Sequence, residues 1–125
     1  MEKSIIELHA EHKEWVNRLL FYKDDLHVMQ HRLDEIVKKN TSNDVMVNLE
    51  HFQNQLKIQQ EQIDILKHEI KKQQNVIEKS ISDNPVASDH RTMEDDVENR
   101  DKIQRFEELF ADLRKELLTF WSKWM

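Results

Sequence analysis

A chain of 125 residues with no glycine and a single proline has room for one domain, and it is too poor in turn-formers to be a sheet protein. Charged residues make up 35% of it and the net charge is -6, which argues against nucleic acid as a main partner, since phosphate binding needs a basic face. The absence of cysteine excludes disulfides and thiolate metal sites and fits a reducing, cytoplasmic setting.

The first predicted element carries the clearest pattern. Large side chains fall at Ile5, Leu8, His12, Trp15, Leu19, Tyr22, Leu26, Met29, Leu33 and Ile36, alternately three and four apart. That is the a and d spacing of a helix facing one neighbour along its whole length. It predicts a helix from about Ser4 to Lys39, opened by a Ser4/Glu7 capping box and closed by Lys38 and Lys39. With no glycine available, Asn40 is expected to take the left-handed turn that ends it.

The connection through Ser42 is short, so the second helix must return antiparallel. Thr41 or Ser42 is expected to cap it. It is predicted over about 43–80, with Val45, Leu49, Phe52, Leu56, Gln59, Ile63, Leu66, Ile70, Gln73 and Ile77 on its seam. Gln59 and Gln73 interrupt the apolar beat at two d positions.

Residues 81–91, ISDNPVASDHR, break the periodicity and read as a linker. Pro85, Ser88 and Thr92 are rival starts for a third helix, predicted over 88–124. Its firm seam is Ile103, Phe106, Phe110, Leu113, Leu117, Phe120 and Trp124. Most of the excess acid lies in this last segment, where MEDDVEN favours a helix N-terminus.

The pattern therefore predicts an all-α fold: a single domain over 1–125, built as an elongated antiparallel three-helix bundle, up-down-up, with coiled-coil-like packing. In outline it resembles spectrin-like three-helix repeats, an architectural likeness with no shared motif. The alternative arrangement is a helical hairpin with a mobile third helix, dimerising into a four- or six-helix assembly.

No apolar run approaches the ~18 residues that span a bilayer, so no membrane contact is expected. The charged start MEKSIIELHAEHKEW does not read as a secretory leader.

Seven histidines raise the question of a metal. His27 and His31 have the two-histidine spacing but fall at outward b and f positions. His51 and His68 lie off the seam, and His90 is in the linker. His12 alone occupies an a position. Folding the hairpin brings Gln73, Asp96 and Asn99 to its level, which predicts a register-fixing polar layer. The ligand-binding reading of the same layer would use His9, His12 and Asp96, and it lacks a strong third ligand. Tyr22 and Gln59 are expected to meet at mid-bundle. At the C-terminal end, Phe120 and Trp124 should close the bundle against Ile36, Val45 and Leu49. Leu118, Trp121 and Met125 form a second stripe there, open to a partner.

Apolar residues outside the seams mark the remaining surface. Phe21 and Val28 on the first helix and Ile58 and Ile65 on the second are all at c positions. They are expected to form one mid-rod patch, covered by the third helix or by a second protomer. No nucleophile sits on a turn and no glycine-rich loop exists for phosphate. The functional expectation is a non-enzymatic protein that binds a protein partner or forms a homo-oligomer, with no cofactor and no nucleic acid. The alternative is a metal- or small-ligand-binding bundle centred on His12.

Overall fold

The alternation of three and four becomes three long helices that pack side by side. The computed structural model describes residues 1–40, 42–84 and 91–124. Its elements in chain order are β1 (Glu2–Ser4), α1 (Ile5–Lys39), α2 (Asn43–Asp83), β2 (Thr92–Glu94) and α3 (Val97–Trp124). At ~1.5 Å per residue the helices are about 52, 62 and 42 Å long. The fold is an all-α three-helix bundle, as the periodicity predicts.

The seams form the core. On α1 every seam residue is buried except Tyr22, which is half-buried. On α2 every seam residue is buried except Gln73. On α3 the run from Ile103 to Phe120 is buried and Trp124 is half-buried. Each fully buried Leu or Ile contributes roughly 1.5–3 kcal/mol relative to exposure, so stability is spread along the rod. The main cluster runs from Trp15 to Phe120, with Tyr22, Trp121 and Trp124 packed on its edge. A smaller cluster of Ile5, Leu8 and Ile77, covered by Ile81 and Met93, fills the other end. His12 lies between the two along α1.

A two-stranded antiparallel ribbon closes the small cluster, pairing Lys3 with Met93. Two further bonds extend it, Asp95 N–H to Met1 O at 2.8 Å and Ile5 N–H to Arg91 O at 3.1 Å. Arg91 also donates to the Ser80 carbonyl on α2. The ribbon presses Met93 onto the apolar cluster and delivers Asp95 and Asp96 to the side of α1.

Several boundaries differ from the pattern-based expectation. α2 continues past Ser80 to Asp83, and α3 begins at Val97 rather than near 88. Thr92 belongs to β2, while Pro85 and Ser88 lie outside the described residues. Asp96 is the side chain that caps α3, its Oδ1 accepting from Asn99 N–H at 3.3 Å. Ser4 and Ser42 hold the N-cap positions of α1 and α2 without a side-chain cap bond, so the Ser4/Glu7 box is not made. Asn40 is extended, at φ -136 and ψ 130, rather than left-handed. Its side chain acts instead as a tie, donating to Trp124 O at 3.0 Å and to Ile36 O at 3.4 Å.

Candidate functional site

Three places on the rod bring chemistry-bearing side chains together: a polar node at the ribbon end, a charged seam between α1 and α3, and an apolar groove between α2 and α3.

The polar node begins with His12, which is 0% exposed. Its Nε2 lies 2.7 Å from Asp96 Oδ2, and Asn99 Nδ2 donates to the same oxygen at 2.7 Å. The predicted layer of His12, Asp96 and Asn99 is therefore formed by direct contact. Gln73 does not join it. It is exposed, and it lines with His12 and Asp96 a cleft of about 390 Å³. The physical reason is its level: α2 runs on beside the start of α3, so the d position of Gln73 opens into the cleft instead of the core.

Beside this layer Arg100 gathers the acids. It binds Asp95 through both arms, Nη1–Oδ2 at 2.6 Å and Nη2–Oδ1 at 2.7 Å, and reaches Glu11 Oε1 at 2.5 Å. Lys3 adds a contact to Glu11 at 3.2 Å. The guanidinium also lies 5.7 Å from the ring centroid of Trp15. Hydrogen bonds from Arg100, helped by the charges of Arg100 and Lys3, hold the Asp95 carboxyl down to about 2 against the opposing effect of its burial. The same bonds to Asp95 and Glu11 push the Arg100 guanidinium further up. Every charge of this node is paired within the molecule.

The three residues considered for a metal do not converge. His12 and Asp96 are bonded to each other, and His9 is half-buried with its Nδ1 unpartnered. Among the described residues no group of three or more His, Asp or Glu side chains could hold an ion. His27, His51 and His68 are exposed, and His31 reaches only Glu35 on its own helix at 3.3 Å.

The apolar periodicity does not reveal the charged seam. Glu11–Arg100, Arg18–Glu107 and Asp25–Arg114 are each separated by 89 residues. Arg32 continues the series, its guanidinium 5.4 Å from the ring centroid of Trp121. The contacts thus step by seven residues along both helices, which makes α3 parallel to α1. The signal stood in the chain. Positions 11, 18, 25 and 32 read Glu, Arg, Asp, Arg, and positions 100, 107, 114 and 121 read Arg, Glu, Arg, Trp. Tyr22 belongs to this seam as well: its hydroxyl donates to Glu107 and not to Gln59. Burial first, and then the Glu107 hydrogen bond, push the phenol up to about 12. Gln59 is left with its buried Oε1 unpartnered.

α3 is seated on the flank that carries the c positions, yet the four apolar residues there do not make one patch. Its Glu107 edge faces α1, and its Leu109 edge faces α2. Ile58 and Ile65 line the α2–α3 groove with Leu109, over a floor of Gln59, Leu66 and Phe106. The groove holds about 430 Å³ and is rimmed by Gln62, Glu69, Lys102 and Arg105. Phe21 lies across the α1–α3 seam, its ring 6.1 Å from that of Tyr22. Helix α3 therefore separates the pairs without covering either. Phe21 is 63%, Val28 50%, Ile58 45% and Ile65 54% exposed.

The C-terminal stripe is less open than expected. Leu118 is half-buried, and Trp121 packs on the main core beneath Arg32. Met125 lies outside the described residues. Phe120 closes the bundle end against Phe52, with ring centroids 5.0 Å apart. Trp124 packs on the cluster that contains Ile36, Val45 and Leu49.

No helix among the described residues is long and apolar enough to cross a membrane. No family model, curated protein or solved structure matches this chain.

Proposed function

We propose that this chain is a non-enzymatic helical-bundle protein that acts by binding another protein, or a copy of itself, through the apolar side chains its helices leave exposed. The observation that carries this reading is the α2–α3 groove, where Ile58, Ile65 and Leu109 are each about half exposed at 45%, 54% and 53%. A groove between two helices is the usual seat for a third amphipathic helix. The polar node argues in the same direction. Its charges are spent on one another, which suits a structural clasp better than a reaction centre. The seven-residue step of the α1–α3 contacts supports coiled-coil packing. A cytoplasmic setting belongs to the same proposal, since a cysteine-free chain needs no oxidising compartment to fold.

A photo-crosslinking amino acid placed at Ile65 tests it in the native cell. A discrete adduct that disappears when Leu109→Lys is added supports the reading. Absence of any adduct at Ile65 and at Phe21 overturns it.

One observation favours a second reading, a metal- or small-ligand-binding bundle centred on His12: the cleft beside it and its unpartnered Nδ1. Metal analysis of protein purified without a histidine tag tests this. Stoichiometric zinc would carry the second reading, and a metal-free protein would remove its metal form.

A further inference from the structure

Two surfaces of this molecule complement each other, and they lie on different sides of the bundle. On α1, Asp24 is exposed and surrounded on its own face by Leu20, Phe21 and Val28, which are 40%, 63% and 50% exposed. On the α2–α3 groove, Arg105 stands beside Leu109 with Ile58 and Ile65 across from it. Asp24 and Arg105 are both without a hydrogen-bond or ion-pair partner among the described residues. Each is an unpaired charge set in half-exposed apolar side chains, and the two have opposite sign.

We propose that the α2–α3 groove takes the outer face of α1 from a second copy of this chain, with Asp24 of one protomer paired to Arg105 of the next. This rests on the reading above and names the partner. Phe21 and Val28 are seven residues apart, as are Ile58 and Ile65, so both surfaces repeat at about 10.5 Å along their helices. A helix face seated over four to six turns covers roughly 500–800 Å² per copy, the low end of specific interfaces. Contacts of that size are typical of weak, transient association, so the test is run up to high concentration. Because the two surfaces differ, the contact is head-to-tail rather than self-matching. Either the rotation closes a small ring or the copies extend into a chain.

Sedimentation velocity over a range of about 10 µM to 1 mM tests it. The expected result is a sedimentation coefficient that rises with concentration. Phe21→Lys blocks the α1 face and Ile65→Lys blocks the groove, and both are solvent-exposed positions where folding can be confirmed by circular dichroism. Each variant alone should stay monomeric. An equimolar mixture of the two should form a dimer and nothing larger, since each keeps the surface the other lacks. Asp24→Arg and Arg105→Asp should each weaken association at least tenfold, and one chain carrying both should recover it.

A wild-type chain that stays monomeric throughout overturns the proposal. So does a mixture that never pairs although the wild type associates, which would assign the groove to a self-matching dimer. The crosslink at Ile65 separates the two levels of inference. An adduct with a different protein overturns this proposal and leaves the broader reading standing. An adduct of two chains of 15.3 kDa supports both.

Discussion

Tyr22 and Glu107 share a hydrogen bond at the middle of the α1–α3 seam. Arg18 approaches the same carboxylate at 3.2 Å, so one acid on α3 receives both a phenol and a guanidinium from α1. The pair ties the polar edge of the bundle to its core, because the Tyr22 ring packs against Phe106 and Phe110.

The protein contains a single tyrosine, so its titration can be read without interference from another phenol. Ultraviolet difference absorbance should show the phenolate forming near pH 12 in the native state and near 10.0 in urea. Between those values the unfolded chain releases a proton that the folded chain keeps, so stability falls as pH rises. The Tyr22 contribution is complete below about pH 10 and lost through about 12. Glu107→Gln should move the native transition down toward 10.0, though not all the way, since burial is the larger cause. A native transition that coincides with the urea value would show that the contact is not made.

Asp95 works at the other end of the pH scale. It titrates near 3.8 when free and near 2 in the folded chain. Between those values the unfolded chain binds more protons, so acid favours unfolding. The contribution of Asp95 is present above about pH 4 and lost as pH falls through about 2. Asp95→Asn should be less stable than the wild type at pH 5, and the gap in denaturant midpoint should close toward pH 2. A gap that does not change with pH would contradict the Arg100 pairing.

Asp96 serves two structures with one carboxylate, the cap of α3 and the bond to His12. Asp96→Ala loses the cap and leaves the buried His12 ring with neither nitrogen paired, at a cost of about 2–4 kcal/mol by urea denaturation. Asp96→Asn keeps the cap and should cost about 1 kcal/mol. His12→Leu removes a charge-assisted bond together with an unpartnered Nδ1, and should destabilise by roughly 1 kcal/mol. A His12→Leu chain more stable than wild type would mean that the polar layer costs more than it contributes. A double-mutant cycle between the two positions isolates their coupling.

Phe21 and Ile58 stand beside α3 and not beneath it. Changing both to Lys should therefore leave a folded protein, destabilised by about 1 kcal/mol or less, as measured by thermal melting. A patch fully covered by α3 would instead lose its fold on this change. Their exposure of 63% and 45% removes that outcome, because a lysine there keeps its ammonium in water. An unfolded double variant would show that α3 covers them after all.

The interior was legible because burial leaves a period. From Ile5 to Ile36 and from Val45 to Ile70, each apolar seam position faces another helix, and only Tyr22 stays half-open on the polar edge. Gln73 departs from its period because its level coincides with the first turn of α3, where a cleft lined by Val97 and Glu98 stays open beside it. The ribbon left no trace, since EKS and TME carry no apolar alternation and pair across most of the chain. The Arg100 node and the ladder from Glu11 to Trp121 were legible in principle. Their charges alternate in sign at a seven-residue step, but a charge pattern names a seam only after the parallel partner is known. The Asp96 cap was hidden among the four acids of MEDDVE, any of which suits the start of a helix.

The ribbon has a further consequence for how the molecule opens. Strand pairing, the Arg91–Ser80 tie, the His12–Asp96 bond and the Arg100 node all converge within a few residues of the start of α3. The far half of that helix is held by ring packing, by the Asp25–Arg114 pair at its exposed edge, by Arg32 over Trp121 and by Asn40 on the last described carbonyl. Amide exchange along α3 should therefore be graded, slow near Ile103 and faster toward Lys123. The helix should peel from its tail while its root stays anchored, so that the α1–α2 hairpin is uncovered progressively; uniform exchange along α3 would show release of the helix as a whole.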